Sequence, residues 1–504
     1  MTRIQLSSQI AGEPPSFRLL AVMVPEKADA APAWTQKLPA DLQAALRAAL
    51  SAPGFSAKLG ETSLVHSAGG ASILVGMGTG TPTGETVRRA FAVLMQAAGK
   101  AKQLHVTAPL PSGRDARSVA ENAVVGALLG NYRFSTYHSD STKSKHSPPV
   151  ETLILWEPNG ARRREAARGL ASGDVLAEAT NRVRDLANTP ANDLPPAALA
   201  KVASGWCQEA GVKLQVLGPS EIERAGMRAV LAVGGGSVHE PRFLIASYHG
   251  RKRRVAGARK RTPQAVDVAL VGKGVTFDSG GITLKPGADM WEMRGDMTGS
   301  AVMLAAICAA AKLRLPLDLV ALTPLVENMP SGAAYRPGDV IRMLSGLTVE
   351  IISTDAEGRL ILADALTYAQ RYNPRVIVDC ATLTGAIRVA LGEVRCGVFT
   401  EHDVLWRAMD QCARATGEKA WRMPLDEEYD EVIRSEIADM RNSGKQYGGA
   451  SVAARLLRKF TGDYPWLHID IAGVDVEDKG QALCPKGATG FGARLVIEWL
   501  RSRR

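Results

Sequence analysis

Two kinds of hydrophobic pattern alternate along the chain. Short runs in which nearly every position is apolar, at residues 19–24 and 71–75, are interleaved with stretches at 40–51 and 85–98 whose apolar positions recur at helical spacing. The runs predict buried strands and the stretches predict amphipathic helices, so the N-terminal part reads as an α/β unit. A polar segment at 139–149 reads as a loop and 151–156 as a strand. Residues 162–187 then keep Leu170, Val175, Ala179, Val183 and Leu186 near helical spacing, which predicts one long helix bridging to a second domain. Asn188-Thr189-Pro190 and the pair Pro195-Pro196 end it.

From about Leu194 the alternation is clearer. Strands are expected at 266–271, 317–323, 349–352 and 376–380, and helices at 301–312 and 360–372. Such alternation implies a largely parallel sheet covered by helices, with ligands gathered by the loops at the carboxyl ends of the strands. The expected architecture is therefore α/β in two domains, residues 1–170 and 171–504, joined by a helix at about 160–187.

Composition removes several classes. In 504 residues, 46% hydrophobic and 22% charged, the 49 Gly and 27 Pro are ordinary usage, which excludes collagen-like and disordered chains. No run of about 18 apolar residues is present to span a membrane, and no apolar signal segment precedes Gly12. Six dispersed cysteines without a C-x-x-C pair argue against a zinc ribbon or disulfide framework and point to a reducing cytoplasm. The formal net charge of +10 is concentrated in residues 251–261, RKRRVAGARKR, a segment that reads either as a solvated loop or as a nucleic-acid contact. Gly76-Met77-Gly78-Thr79-Gly80 follows a predicted strand but lacks the third glycine of a dinucleotide fingerprint, so it reads as a turn.

Chemistry concentrates at two strand ends. One is Gly272–Gly281, continuing to Lys285 and Asp296; the other is 353–359, Ser-Thr-Asp-Ala-Glu-Gly-Arg, directly after Ile351-Ile352. In extended chain, residues i and i+2 share a face about 6.6 Å apart, so Asp355 and Glu357 can aim both carboxylates at one pair of cations. With Asp278 and Asp296 they sum to −4, the charge that balances two divalent cations; without metal, such crowding raises carboxyl pKa values. Histidines are dispersed, and H-E-x-x-H, G-x-S-x-G and the P-loop pattern are all absent, so any metal centre must be carboxylate-rich. Each residue also has a bland reading. Asp355 and Glu357 fit helix N-terminal acids, Lys273 and Lys285 fit surface lysines, and Asp278 before Gly280-Gly281 fits a turn.

Taken together, these residues resemble the leucyl aminopeptidase (cytosol aminopeptidase) family of dinuclear metallo-aminopeptidases. Residues 353–360 look like its signature octapeptide, departing only at Ser353, where the family has Asn. Segments 272–296, 327–331, 336–339, 381–385, 437–439, 470–473 and 487–490 are also similar, so the likeness runs from about Asp185 to the C-terminus. The resemblance implies a macro-like N-terminal α/β domain and a C-terminal dinuclear-metal peptidase domain with a mixed, largely parallel sheet. It implies that Asp278 and Glu357 bridge two metals, that Asp355 completes one site, and that Lys273, as the neutral amine, and Asp296 complete the other. The metals would be Zn²⁺ or Mn²⁺, with Mg²⁺ or Co²⁺ also compatible. Lys285 would polarise the scissile carbonyl, and Arg359 would hold a bicarbonate ion as general base. A metal-bridging hydroxide would attack the first peptide bond of a substrate whose free α-amine is itself held, and Met293, Thr382, Leu383 and Gly385 would line an apolar pocket for its first side chain. A homohexamer of two trimers, acting on peptides in the cytoplasm, completes the expectation. The rival reading is a nucleic-acid-binding regulator with secondary peptidase activity, DNA being its partner through 251–261; a third makes residues 1–170 a nucleotide or ADP-ribose binder.

Overall fold

The computed structural model describes residues 2–9, 19–26, 32–52, 54–67, 70–111, 115–251, 265–444 and 447–503. The chain divides into two compact units, Met1–Asn181 with Glu477–Gly487 and Arg182–Val476 with Ala488–Arg504.

In the first unit the strand order is Arg3–Ser7, Thr152–Trp156, His105–Pro109, Leu19–Val24, Gly70–Gly76, Thr62–Ser67. All neighbours are parallel except the last pair. Leu19–Val24 is buried at every position because both faces of the sheet are covered. Leu19, Ala21 and Met23 pack into one core with Phe91 and Val119 of the helices Gly84–Lys100 and Ala116–Gly130. The alternate residues Leu20, Val22 and Val24 pack on the other face with Leu42 and Leu46 of the helix Ala40–Ser51. The segment at 139–149 is not entirely loop. It carries the short helix Asp140–Lys143, nucleated because the Ser139 side chain caps the amide of Thr142. After Gly76 the chain turns through Gly78 and Gly80, at φ +73° and +75°, conformations that glycine adopts without strain. A cavity of about 560 Å³ lies beyond the carboxyl ends of the parallel strands, lined among others by Met23, Trp34, Met77, Leu110 and Trp156.

In the second unit the strand order is Ala420–Arg422, Cys396–Phe399, Trp466–Asp470, Ile377–Ala381, Val268–Gly272, Asp318–Asn328, Arg242–His249, Lys213–Leu217, with Gly274–Asp278 paired alongside Asp318–Asn328. The central pairs are parallel, whereas Arg242–His249 runs antiparallel to both of its neighbours, so the sheet is mixed and largely parallel at its centre. The α/β class in two domains is thus what the chain forms. The helix Thr298–Lys312 is buried at every position but its last, and it sits so close to the sheet that a Cβ on Gly299 would lie 2.1 Å from the Cys380 carbonyl.

One expected strand differs. The strand at 349–352 is instead Thr348–Glu350, in a small separate sheet with Val340–Arg342 and Met440–Arg441. The Ile351 amide and carbonyl bond to Asp339 and Gly338, and residues 352–357 leave extended conformation in a turn. The strand expected at 317–323 is longer, Asp318–Asn328, and buried throughout. All six cysteines are free, five of them buried. Among the described residues no helix is long and apolar enough to cross a membrane. Of the basic segment 251–261, only Arg251 is among the described residues; its guanidinium pairs with Asp267, donating from Nε at 2.7 Å.

Candidate metal centre

The central sheet delivers the first group of candidate ligands. Lys273 lies between the strands Val268–Gly272 and Gly274–Asp278, and Asp278 ends the second of these. Both are buried, at 3% and 2% exposure. The chain then folds back on itself at Gly280 and Gly281, at φ +87° and +67°. A Cβ on Gly280 would meet the Thr283 carbonyl at 2.4 Å, and one on Gly281 would meet the Asn328 Oδ1 at 2.8 Å, so only glycine permits the turn. That turn swings Lys285 over Asp278, with Nζ 2.8 Å from its carboxylate.

The second group comes from the turn at 353–357. Asp355 and Glu357 are brought together by this turn, not by the i, i+2 alternation of an extended strand. Glu357 sits at the start of the helix Gly358–Ala369 but makes no capping bond with its side chain. It faces Lys273 Nζ at 2.9 Å instead, and Asp355 pairs with Lys285. The helix-acid reading therefore describes its backbone position and not what its carboxylate does. Asp296 follows the short 3-10 helix Met290–Gly295 and lies 2.7 Å from Lys273 Nζ. Thr382 closes this side: its hydroxyl donates to Asp296 Oδ1 at 2.8 Å and its carbonyl accepts from Lys273 Nζ at 2.9 Å.

The structure thus brings together Lys273, Asp278, Lys285, Asp296, Asp355, Glu357 and Thr382. Met293 stands in the 3-10 helix leading to Asp296, and its carbonyl accepts from the Asp296 amide. Leu383 and Gly385 continue the loop from Thr382, with Gly385 opening the helix Gly385–Leu391. These three belong to segments that border the cluster and are not members of it. Arg359 lies in the first turn after Glu357; its Nη1 donates to the Asn442 carbonyl at 2.9 Å, and its buried Nε has no hydrogen-bond partner.

Electrostatics follow from this crowding. Burial, and then Glu357, push the Asp278 carboxyl up to about 6 against the pull of Lys285 and Lys273. Burial holds Asp296 well above the ordinary range and raises Asp355, in each case against a neighbouring lysine. Glu357 moves the other way: burial works against its charge, but Lys273 and Lys285 together outweigh that and lower its pKa. Burial disfavours the charge of both lysines, yet the surrounding carboxylates overcome it and hold each ammonium above its usual pKa. The carboxylates thus already demand positive charge at their centre.

The donor set fits divalent cations. Carboxylate oxygens of Asp278, Asp355 and Glu357 lie within 4.8 Å of one another, and Asp296 Oδ2 is buried with no hydrogen-bond partner. Oxygen donors so convergent suit hard or borderline cations.

Several residues that build this geometry carried no role in the sequence reading. Asn328, the last residue of its strand, donates from Nδ2 to Asp278 Oδ1 at 2.8 Å and to the Thr354 carbonyl at 3.0 Å, tying the two ligand segments together. The Thr354 hydroxyl reinforces the tie, donating to the Gly280 carbonyl at 2.5 Å while accepting from the Thr283 amide at 2.8 Å. The buried Asp470 accepts from the Leu383 amide at 3.0 Å and the Thr384 hydroxyl at 2.7 Å, which fixes the loop behind Thr382. Asn328, Thr354 and Asp470 lie inside motifs that signalled the resemblance, so position was visible and role was not. Asn442 lay outside every motif.

A largely buried cluster of acids and lysines at the carboxyl ends of parallel strands is a candidate metal centre on an α/β scaffold. The cytosol aminopeptidase family models match this chain, the catalytic domain over residues 181–497 and the N-terminal domain over 21–141. The chain belongs to the cytosol aminopeptidase family. It is 45% identical over 458 residues to a probable cytosol aminopeptidase of Roseiflexus castenholzii, covering 89% of this chain and 91% of that protein. It is 43% identical to another of Syntrophotalea carbinolica, over 92% and 93% of the two chains. Among solved structures, a tomato leucine aminopeptidase mutant superposes with a TM-score of 0.85 at 30% identity, covering 99% of this chain and 96% of that one. The bottromycin maturation enzyme BotP in complex with Mn superposes at 0.83 and 34% identity, covering 97% and 100%. The chain is accordingly an aminopeptidase-family enzyme with a divalent-metal chemistry, and the nucleic-acid-binding reading is not favoured.

Proposed function

We propose that this protein removes the N-terminal residue from peptides at a dinuclear centre in which Asp278 and Glu357 bridge two divalent cations, Asp355 completes one site, and Lys273 and Asp296 complete the other. The observation that carries the reading is the convergence of four carboxylates and Lys273 from separate segments on one point, buried except on the side of Asp355. Bound cations would lower the pKa of a coordinated water and polarise the substrate carbonyl. Zn²⁺ and Mn²⁺ suit the donor set, and Lys273 would serve it as the neutral amine once cations replace its proton as the partner of the carboxylates.

Lys285 remains partly exposed, 21% at its side chain, and reaches into the cluster from the solvent side. There it meets an entering carbonyl and keeps its charge, which suits stabilisation of the developing oxyanion. Arg359, anchored through Nη1, has an unpaired buried Nε, a donor that would hold an anionic base such as bicarbonate close to the reacting water. Met293, Thr382, Leu383 and Gly385 would border the first side chain of the substrate, and its free α-amine would be held at one of the two cations. A peptide without a free N-terminus lacks that contact, which restricts cleavage to the first bond. Assembly as a homohexamer and a cytoplasmic site of action belong to the same reading.

Asp355→Ala and Glu357→Ala test it. Each should lose bound metal and hydrolysis of aminoacyl substrates together, read by metal analysis and a substrate panel. Full activity in either variant would refute the assignment.

A further inference from the structure

The turn that carries Asp355 and Glu357 has no regular backbone ladder of its own, so its shape must come from elsewhere. Asn328 and Tyr335 hold its Thr354 carbonyl, at 3.0 and 2.8 Å, and one further side chain holds the rest. Asn442 is fully buried. Its Oδ1 accepts from the Ile352 amide at 2.8 Å and the Ser353 amide at 3.3 Å. Its Nδ2 donates to the Ser353 carbonyl at 2.6 Å and the Ala356 carbonyl at 3.4 Å. A side-chain amide offers two acceptor lone pairs and two donor hydrogens, and here all of them are spent on residues 352–356.

The backbone of Asn442 serves the same stretch. Its amide donates to the Glu350 carbonyl at 2.9 Å, and its carbonyl accepts Arg359 Nη1 at 2.9 Å. Delivery is by the short strand Met440–Arg441, which pairs in parallel with Thr348–Glu350. Every polar group of one residue therefore acts between Glu350 and Arg359. Ser353 adds a smaller clasp, its hydroxyl accepting from the Asp355 amide at 3.2 Å.

We infer that Asn442 is a positioning residue that holds the loop of Asp355 and Glu357, together with the Arg359 guanidinium, in metal-binding geometry. The inference rests on the metal-centre reading above. Residues that orient metal ligands from behind typically change metal affinity or activity 10–100-fold when removed. Asparagine is specific to the task. Aspartate keeps the acceptor half but loses both donors and places a charge beside Asp355 and Glu357, and alanine loses all four side-chain bonds.

The test uses the full-length protein stripped of metal with a chelator and titrated with Mn²⁺ alone, for wild type, Asn442→Ala, Asn442→Asp and Asp355→Ala. Binding is read by calorimetry, and kcat and KM by hydrolysis of leucine p-nitroanilide. Asn442→Ala should weaken Mn²⁺ binding about 10–100-fold and lower kcat with KM within about twofold. Excess Mn²⁺ should restore part of the rate, and circular dichroism showing the metal-free variant folded at the assay temperature separates this from rescue of an unfolded fraction by metal binding. Asn442→Asp should be impaired in the same sense, and it carries the measurement alone if the alanine variant does not fold. Mn²⁺ affinity within twofold of wild type in an Asn442 variant, or a rate deficit insensitive to Mn²⁺, would overturn the inference. If Asp355→Ala binds Mn²⁺ as wild type does, it is the metal-centre reading that fails; if Asp355→Ala loses Mn²⁺ and the Asn442 variants do not, the positioning role fails by itself.

Discussion

Replacing Asp364 by asparagine should turn a pH-dependent stability into a flatter one. Asp364 lies inside the helix Gly358–Ala369, fully buried, and its carboxylate accepts the amides of Ala229 at 2.8 Å, Val230 at 3.4 Å and Leu344 at 2.9 Å. Burial pushes its pKa from 3.8 up to about 7, although these three amides pull it down. The folded protein thus holds this proton more tightly than the unfolded chain. Linkage then makes the contribution fully present below the unfolded value of 3.8 and steadily lost as pH rises to about 7. At about 1.4 kcal/mol per pKa unit the loss across that window approaches 4 kcal/mol as an upper bound. Asparagine cannot titrate, but its NH₂ faces one of the three amides, which costs about 1–3 kcal/mol at every pH. In urea unfolding followed by circular dichroism, the variant should therefore be less stable than wild type at pH 5, with the gap closing or reversing by pH 8. A gap that stays constant over that range would refute the argument that Asp364 is protonated in the folded state. The measurement bears on the site as well, because the same helix begins at Glu357 and Arg359.

Other consequences concern the centre itself. Lys285→Ala should lower kcat while metal content stays near two per chain, since Lys285 pairs with ligand carboxylates without being placed as a ligand; loss of metal together with rate would contradict that division. Gly358→Ala would set a methyl 2.6 Å from Lys273 Cε and 2.8 Å from Nζ, so it should displace Lys273 and reduce metal binding; unchanged metal affinity would show that the lysine relaxes freely. Gly299→Ala, whose Cβ would lie 2.1 Å from the Cys380 carbonyl, should lower the melting temperature by pushing a buried helix off the sheet, with wild-type thermal stability the refuting result.

Much of this was legible from the chain. Leu19–Val24 and Val268–Gly272 are short, continuously apolar and bounded by polar segments, and strands buried on both faces read that way. The cluster was legible because acids and glycines do not gather after an apolar run without cause. The turn at 353–357 was not. Its apolar lead, Val349 to Ile352, matches a central strand by composition, yet Ile352 is 40% exposed and the strand ends at Glu350. Local pattern could not reveal this because the turn is shaped by Asn442, from a strand some ninety residues further on. Asn328 was hidden differently: a single amide at the end of a strand gives no periodic signal, and its two bonds reach partners fifty and twenty-six residues away. The family likeness supplied roles where spacing supplied only proximity.

The ladder between Thr348–Glu350 and Met440–Arg441 also has a bearing on synthesis. Every carboxylate of the cluster has been made once residue 357 is added, but the clasp on the loop, and Asp470 behind the Thr382 loop, belong to later stretches of chain. A nascent polypeptide therefore displays the acids long before it can shape them. The loop takes its final shape only in the last quarter of synthesis, after every acid of the cluster is already in the chain.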